Sequence, residues 1–177
     1  NLFATQFSTS SAAKFNAAGA LVTYPFGSGF NADPESCVVD TSGNLYFGQA
    51  DGSQQILRFN AAGTPTGNFV VATGPLGSDW IELGPDQCTM YYTSEGSAVK
   101  RFDVCTNTQL PDFATGLPDP ECFALRLRPN GDLMVACSSG VLRLDSTGTT
   151  LQTYPASGFT PAANFLFTMS LDPDGST

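Results

Sequence analysis

One short pattern occurs four times in this chain at a constant spacing, and that constancy restricts the fold more than any composition does. It reads Val39-Asp-Thr-Ser-Gly-Asn-Leu-Tyr, Leu83-Gly-Pro-Asp-Gln-Cys-Thr-Met-Tyr, Leu127-Arg-Pro-Asn-Gly-Asp-Leu-Met and Leu171-Asp-Pro-Asp-Gly-Ser-Thr. The leading apolar residues stand at 39, 83, 127 and 171, so each step is 44 residues. A second pattern, a basic residue followed by an apolar one and Asx, closes a later stretch of each unit: Lys14-Phe15-Asn16, Arg58-Phe59-Asn60, Arg101-Phe102-Asp103 and Arg143-Leu144-Asp145. Self-similarity at such a period means one supersecondary unit copied along the chain.

Each unit reads as four short strands. An apolar strand runs into a Pro-Asp-Gly-type turn; an aromatic-rich strand such as Asn44-Leu-Tyr-Phe-Gly-Gln follows; a third ends in the basic-apolar-Asx element; a fourth resembles Asn68-Phe-Val-Val-Ala-Thr. Nowhere does a helical period persist. The 18 Gly, 12 Pro, 16 Ser and 19 Thr supply the turns such a chain needs. A four-stranded unit at this period predicts an all-β fold, a β-propeller of four four-stranded blades. The inner strands are expected near 36–40, 80–84, 124–128 and 167–171.

The 177 residues fit one domain. The blades are expected at 1–30 plus 164–177, at 31–76, at 77–118 and at 119–163. The first is split because joining Thr177 to Asn1 gives Pro-Asp-Gly-Ser-Thr-Asn-Leu-Phe-Ala, a continuous copy of the stretch at 129–136. Strand 164–177 is therefore expected to pair with 1–7. The pairing closes either within one chain or between copies of itself or neighbouring repeat units, as in a tandem array or fibre. Because the chain opens on Asn1 rather than Met, it is expected to be a mature or excised segment.

Charge and missing residue types narrow the function. Seven Lys and Arg against 16 Asp and Glu give a net charge of −9, which repels a phosphate backbone, so nucleic acid is not an expected partner. No apolar run approaches the roughly 18 residues of a membrane helix, so no membrane association is expected. The chain has no His, which excludes Ser-His-Asp and Cys-His nucleophiles, His-held zinc and imidazole proton transfer.

The Asp/Asn-Gly-Asn/Asp-Leu turns, followed by a basic-Phe/Leu-Asx-x-x-Gly strand end, resemble the blades of NHL-repeat, SMP-30 (gluconolactonase-like) and virginiamycin B lyase-like propellers. The resemblance covers nearly the whole chain. Propellers of these groups usually have six or seven blades, and this chain supplies four. The resemblance places the connections between blades at the mouth of a central channel, where the SMP-30 group holds a metal with a carboxylate from an early blade and Asn and Asp from later ones. Glu35 matches the first of these, and no equally placed Asn and Asp are found. The lyase-like group relies on His, which is missing here.

Acidic residues gather in those connections: Asp33-Pro34-Glu35, Asp79 with Glu82, and Asp119-Pro120-Glu121. Glu35, Asp79 and Glu121 are the candidate ligands for a hard cation such as Ca2+, with solvated turn carboxylates as the alternative. Lys14, Arg58, Arg101 and Arg143 occupy one place in all four repeats, and propeller symmetry sets them in a ring. They either bind an anionic ligand or partner, or cover strand surface with their stems beside a carboxylate. The segments Tyr24–Phe30 and Tyr154–Phe159, with Trp80, offer rings for stacking on glycans or for packing loop ends.

Counting the hairpin back from Glu95-Gly96 places Cys88 opposite Asp103, diagonal to Cys105. Counting outward from Asn130-Gly131 places Cys137 opposite Ala124, diagonal to Cys122. Disulfides Cys88–Cys105 and Cys122–Cys137 are expected, with Cys37 free and the protein extracellular or secreted. Together these features lead to the expectation of a non-enzymatic extracellular scaffold or adhesive module. The alternatives are a ligand-binding propeller and an SMP-30-like metal-dependent lactonase.

Overall fold

The computed structural model describes residues 1–158 and 166–172. Among them the chain forms four antiparallel sheets. The first holds β1 (Leu2–Gln6), β2 (Ser11–Phe15) and β3 (Leu21–Thr23). The second holds β4 (Pro34–Val39), β5 (Leu45–Gln49), β6 (Ile56–Phe59) and β7 (Pro65–Phe69). The third is made of β8 (Ile81–Leu83), β9 (Thr89–Tyr92), β10 (Val99–Asp103) and β11 (Thr108–Ala114), and the fourth of β12 (Cys122–Leu127), β13 (Leu133–Cys137), β14 (Gly140–Leu144) and β15 (Thr150–Pro155). In every sheet the strands lie in chain order, as in a propeller blade.

The sheets stack because the period-2 alternation of each strand gives it two apolar faces. Leu45 and Phe47 of β5 face the first sheet, packing with Ala12, Phe26 and Phe59. Tyr46, between them, faces the third, packing with Ile81, Met90, Tyr92 and Phe102. The next layer joins Val99 and Phe113 to Leu125, Leu133, Val135 and Leu144. A full apolar layer thus separates each sheet from the next, and strands buried on both faces account for the 41% apolar content. The inner strands β4, β8 and β12 lie side by side, and β1 lies against β4.

The turns that carry the repeat are Asx turns. Asp40 Oδ1 accepts from the Ser42 and Asn44 amides, and Asn60 Oδ1 from those of Ala62 and Thr64. Asp145 Oδ1 accepts from Thr147 and Thr149. In the first of these Gly43 sits at φ +83°, where a side chain is strained.

Loops between sheets are tied back to their neighbours. The Gly77 amide donates to Ala50 O, the Leu76 amide to Ser94 O, and the Cys122 amide to Gly96 O.

Three expected inner strands are found with small shifts as β4, β8 and β12. The fourth, 167–171, is not paired as a strand in the structure. Phe167 packs on Phe123, and Met169, Ser170 and Leu171 line a pocket with Arg128, Met134, Val141 and Tyr154. Residues 167–171 therefore lie along the side of the fourth sheet, where apolar surface is at hand, and the described part of the segment does not pair with β1. The remainder of 164–177 lies outside the described residues, as does Phe159.

Both expected disulfides are present, with Cα–Cα distances of 5.2 Å for Cys88–Cys105 and 3.9 Å for Cys122–Cys137. The counted registers were each off. Asp103 faces Thr89 because the connection between β9 and β10 is centred on Gly96, with Glu95 turned left-handed at φ +48°. Cys122 faces Cys137 directly because the turn between β12 and β13 is centred on Asn130, with Leu127 facing Leu133, and a bulge before Leu125 shifts the pairing by one residue more. Cys37 is free and partly buried, and burial pushes its thiol pKa up.

Candidate functional site

Antiparallel order sends the connections between sheets to the same end of the molecule as the turns between second and third strands. Residues 24–33, 50–55, 70–80, 93–98, 115–121 and 138–139 make up this end. Asp33, Asp51, Asp79, Glu95, Asp119 and Glu121 lie in these loops and Glu35 at the start of β4, while no Lys or Arg occurs in any of the loops. All seven basic residues sit on strands or in the opposite turns. The result is an end with one sign of charge.

At its centre is Asp79, held by close backbone packing. A Cβ on Gly77 would stand 2.1 Å from Gln49 O, and one on Gly48 would stand 2.2 Å from Ser78 O, so only glycine allows this loop to approach β5. The Asp79 amide donates to Thr93 O, and its carbonyl accepts from Ser36 Oγ at 2.8 Å, which in turn accepts from the Ile81 amide. The backbone of Asp79 is thereby fixed, and its side chain is only 1% exposed.

Neither carboxylate oxygen of Asp79 has a hydrogen-bond donor. They face Glu35 and Glu95 instead: one oxygen from each of the three residues lies within 4.8 Å of the others. Burial, then Glu35 and Glu95, push the Asp79 pKa far above the carboxylate range. Burial, then the charges of Glu35, Glu121 and Asp51, raise that of Glu95 as well. A buried acid without donors is rare in a folded chain, since it pays desolvation with no return.

Of the three expected ligands, the structure brings Glu35 and Asp79 together. Glu121 is exposed and reaches the group through its charge on Glu95. Glu95 was missed because it was read as a hairpin turn residue; the signal that finds it is the end of the sheet on which it falls. Asp119, close by, behaves oppositely: burial opposes its ionisation, but Ser138 Oγ and the Ser139 amide and hydroxyl donate to it, and its pKa falls. A second acidic group, Asp103 beside Cys88 and Cys105, has no free thiolate, because both sulfurs are in the disulfide.

The four repeated basic residues lie on the third strands. Lys14 Nζ stands 5.6 Å and 5.7 Å from the Phe3 and Phe26 rings and donates to Ala61 O. Arg58 covers Tyr46 at 5.5 Å, and Arg101 covers Phe113 at 5.7 Å. Arg143 Nε donates to Asp132 at 2.7 Å. Among the rings considered for glycans, Phe26 and Phe30 belong to the aromatic core, Tyr24 and Tyr154 are exposed, and Trp80 lies under the Arg126 guanidinium at 4.6 Å.

No protein-family model and no curated protein matches the sequence. Solved structures do. A streptogramin B lyase matches with TM-score 0.68 and 16% identity over 89% of this chain and 52% of its own. A virginiamycin B lyase from Staphylococcus aureus matches with TM-score 0.65 and 14% identity, over 86% and 51%. A catalytically inactive form of that lyase with quinupristin gives TM-score 0.67 and 15% identity, over 89% and 53%. The chain thus spans about half the length of these solved proteins. The expectation of no catalytic activity is corrected by them: the solved proteins that share this fold are lyases, enzymes by name. The chain has the fold of a virginiamycin B lyase-like propeller.

Proposed function

We propose that this chain is the ligand-binding part of a secreted propeller enzyme that takes its substrate at the acidic end of the sheets. The observation that carries the reading is the donor-free Asp79 carboxyl facing Glu35 and Glu95 at an end without a single Lys or Arg. Side chains kept in so costly an arrangement are the ones most worth assigning to function. With no His, the groups that move protons on a substrate here are carboxylates. Two disulfides support an oxidising compartment, and the lyases of like fold support a lyase activity.

The test is direct, because the single Trp, Trp80, adjoins Asp79 and reports on this end. Quinupristin and simple sugar lactones are titrated against tryptophan emission, and products are followed by mass spectrometry. The expected result is an emission change with at least one of them and turnover that falls at least tenfold in Glu35→Gln. A flat emission trace with no turnover across the panel overturns the reading.

A further inference from the structure

We infer that Glu35, Asp79 and Glu95 receive a primary ammonium group of the substrate, each carboxyl accepting one of its N–H donors. This names the substrate class for the acidic end and rests on the reading of that end as the ligand site. One oxygen from each of the three carboxyls lies within 4.8 Å of the others. A primary ammonium donates along three directions of a tetrahedron at about 2.8 Å, which sets its three acceptors roughly 4.6 Å apart. The three oxygens have the spacing of that trio. A second observation is independent of the spacing: Asp79 is 1% exposed, and neither of its oxygens has a donor among the described residues. Glu35 and Glu95 are half-buried, so a ligand reaches Asp79 past them.

Other donors fit less well. A proton shared between Asp79 and Glu35 serves one pair of oxygens and leaves the second Asp79 oxygen without a donor. No Lys or Arg occurs in the loops of this end, so these loops hold no cation of their own to answer the three acids. A guanidinium is a flat fork that pairs both oxygens of one carboxylate. Here the oxygens come from three carboxyls on three segments: Glu35 opens β4, Asp79 precedes β8, and Glu95 lies between β9 and β10. A quaternary ammonium has no N–H to donate and is met by aromatic faces; Trp80, next to Asp79 in the chain, already has the Arg126 guanidinium over its ring at 4.6 Å. A primary ammonium answers both needs of the group, a positive charge and a donor for each acid. Asp33, Asp51, Asp119 and Glu121 lie in the same set of loops, and an end of one sign raises the local concentration of ligands of the other.

Binding is followed by isothermal calorimetry with EDTA present throughout, so that no metal ion stands in for the ammonium. Benzylamine is compared with benzyl alcohol, which lacks the charge, and with benzyltrimethylammonium, which keeps the charge and lacks the N–H donors. The expected result is saturable binding of benzylamine, with both analogues weaker by about tenfold or more, the effect of losing charge-assisted hydrogen bonds. Asp79→Asn and Glu95→Gln should each weaken benzylamine binding by about tenfold, and Glu121→Gln, which changes only the charge of the end, by about twofold. Glu95→Gln decides the matter if Asp79→Asn does not fold. No benzylamine binding at about 10 mM overturns the inference, as does equal affinity for benzyltrimethylammonium or unchanged affinity in Glu95→Gln. Benzylamine binding that obeys these rules, with no emission change and no turnover for quinupristin and the lactones, upholds the ammonium site and removes the proposed function. Turnover of a substrate without an amine, undiminished in Glu95→Gln and with no benzylamine bound, removes the ammonium site and leaves the function.

Discussion

The two ends of the sheets use the same side chain in opposite ways. At the turn end every repeat places Asp or Asn where backbone amides converge on it. Asp145 is held below its ordinary pKa by the Thr147 hydroxyl and by the amides of Thr149 and Thr147. Asp103 is lowered chiefly by the Thr106 amide, and Asp132 by the Asn130 amide and then Arg143. At the other end Asp79 is pushed up by burial and then by Glu35 and Glu95, and Glu95 by burial and then by Glu35, Glu121 and Asp51. A carboxylate supplied with donors keeps its charge and organises a turn; one deprived of them, among its own kind, is driven to hold its proton.

The largest effect should test whether the ends are equally braced. Each carries one disulfide, Cys122–Cys137 at the acidic end and Cys88–Cys105 at the turn end, with sequence separations of 15 and 17. Replacing either pair by Ser should cost about 3 kcal/mol in denaturant unfolding, and the two losses should agree within about 1 kcal/mol. A marked difference would show that one end alone controls unfolding.

A smaller change separates the ends by sign. Asp79→Asn replaces a carboxyl that must hold its proton against Glu35 and Glu95 with an amide that donates to them at any pH, and stability should rise by about 1 kcal/mol. Asp145→Ala, at the turn end, removes an acceptor from several amides and should lower it. If both substitutions destabilise, the contrast drawn here is wrong.

The smallest effect is in acid. Because the Asp132 pKa is depressed, its contribution is present above the unfolded carboxylate value of about 3.9 and is lost as pH falls through the folded value. Asp132→Asn should therefore flatten the acid side of the stability profile below about pH 4. Arg143→Ala should do so in part, read by unfolding midpoints across pH.

The same contrast explains what could be read from the sequence. The turn end repeats, so its Asx residues, glycines and basic-apolar-Asx strand ends stand out at a step of 44, and from them the four sheets and their order follow. Both cysteine pairings were legible although their registers were not, since a diagonal neighbour and a facing one are both within bridging reach. A bulge leaves no mark in a sequence. The acidic end repeats only in part, as Asp33-Pro34-Glu35 and Asp119-Pro120-Glu121. Glu35, Asp79 and Glu95 come from three different kinds of position, a strand start, a loop between sheets and a turn within one, and they meet only because antiparallel order sends those positions to one end. The basic residues were legible as a series but not in their role, because covering a ring of the same sheet and facing a ligand require the same spacing.

The loop ties described above, Gly77 to Ala50, Leu76 to Ser94 and Cys122 to Gly96, join only segments that follow one another along the chain. Among the described residues these ties run from each unit to its immediate neighbour, as in a one-dimensional lattice, where stability approximates a sum of unit and interface terms. Sequence-near contacts also favour fast folding. During synthesis a unit of this kind can close on the one before it as it emerges, with no need to wait for a distant partner.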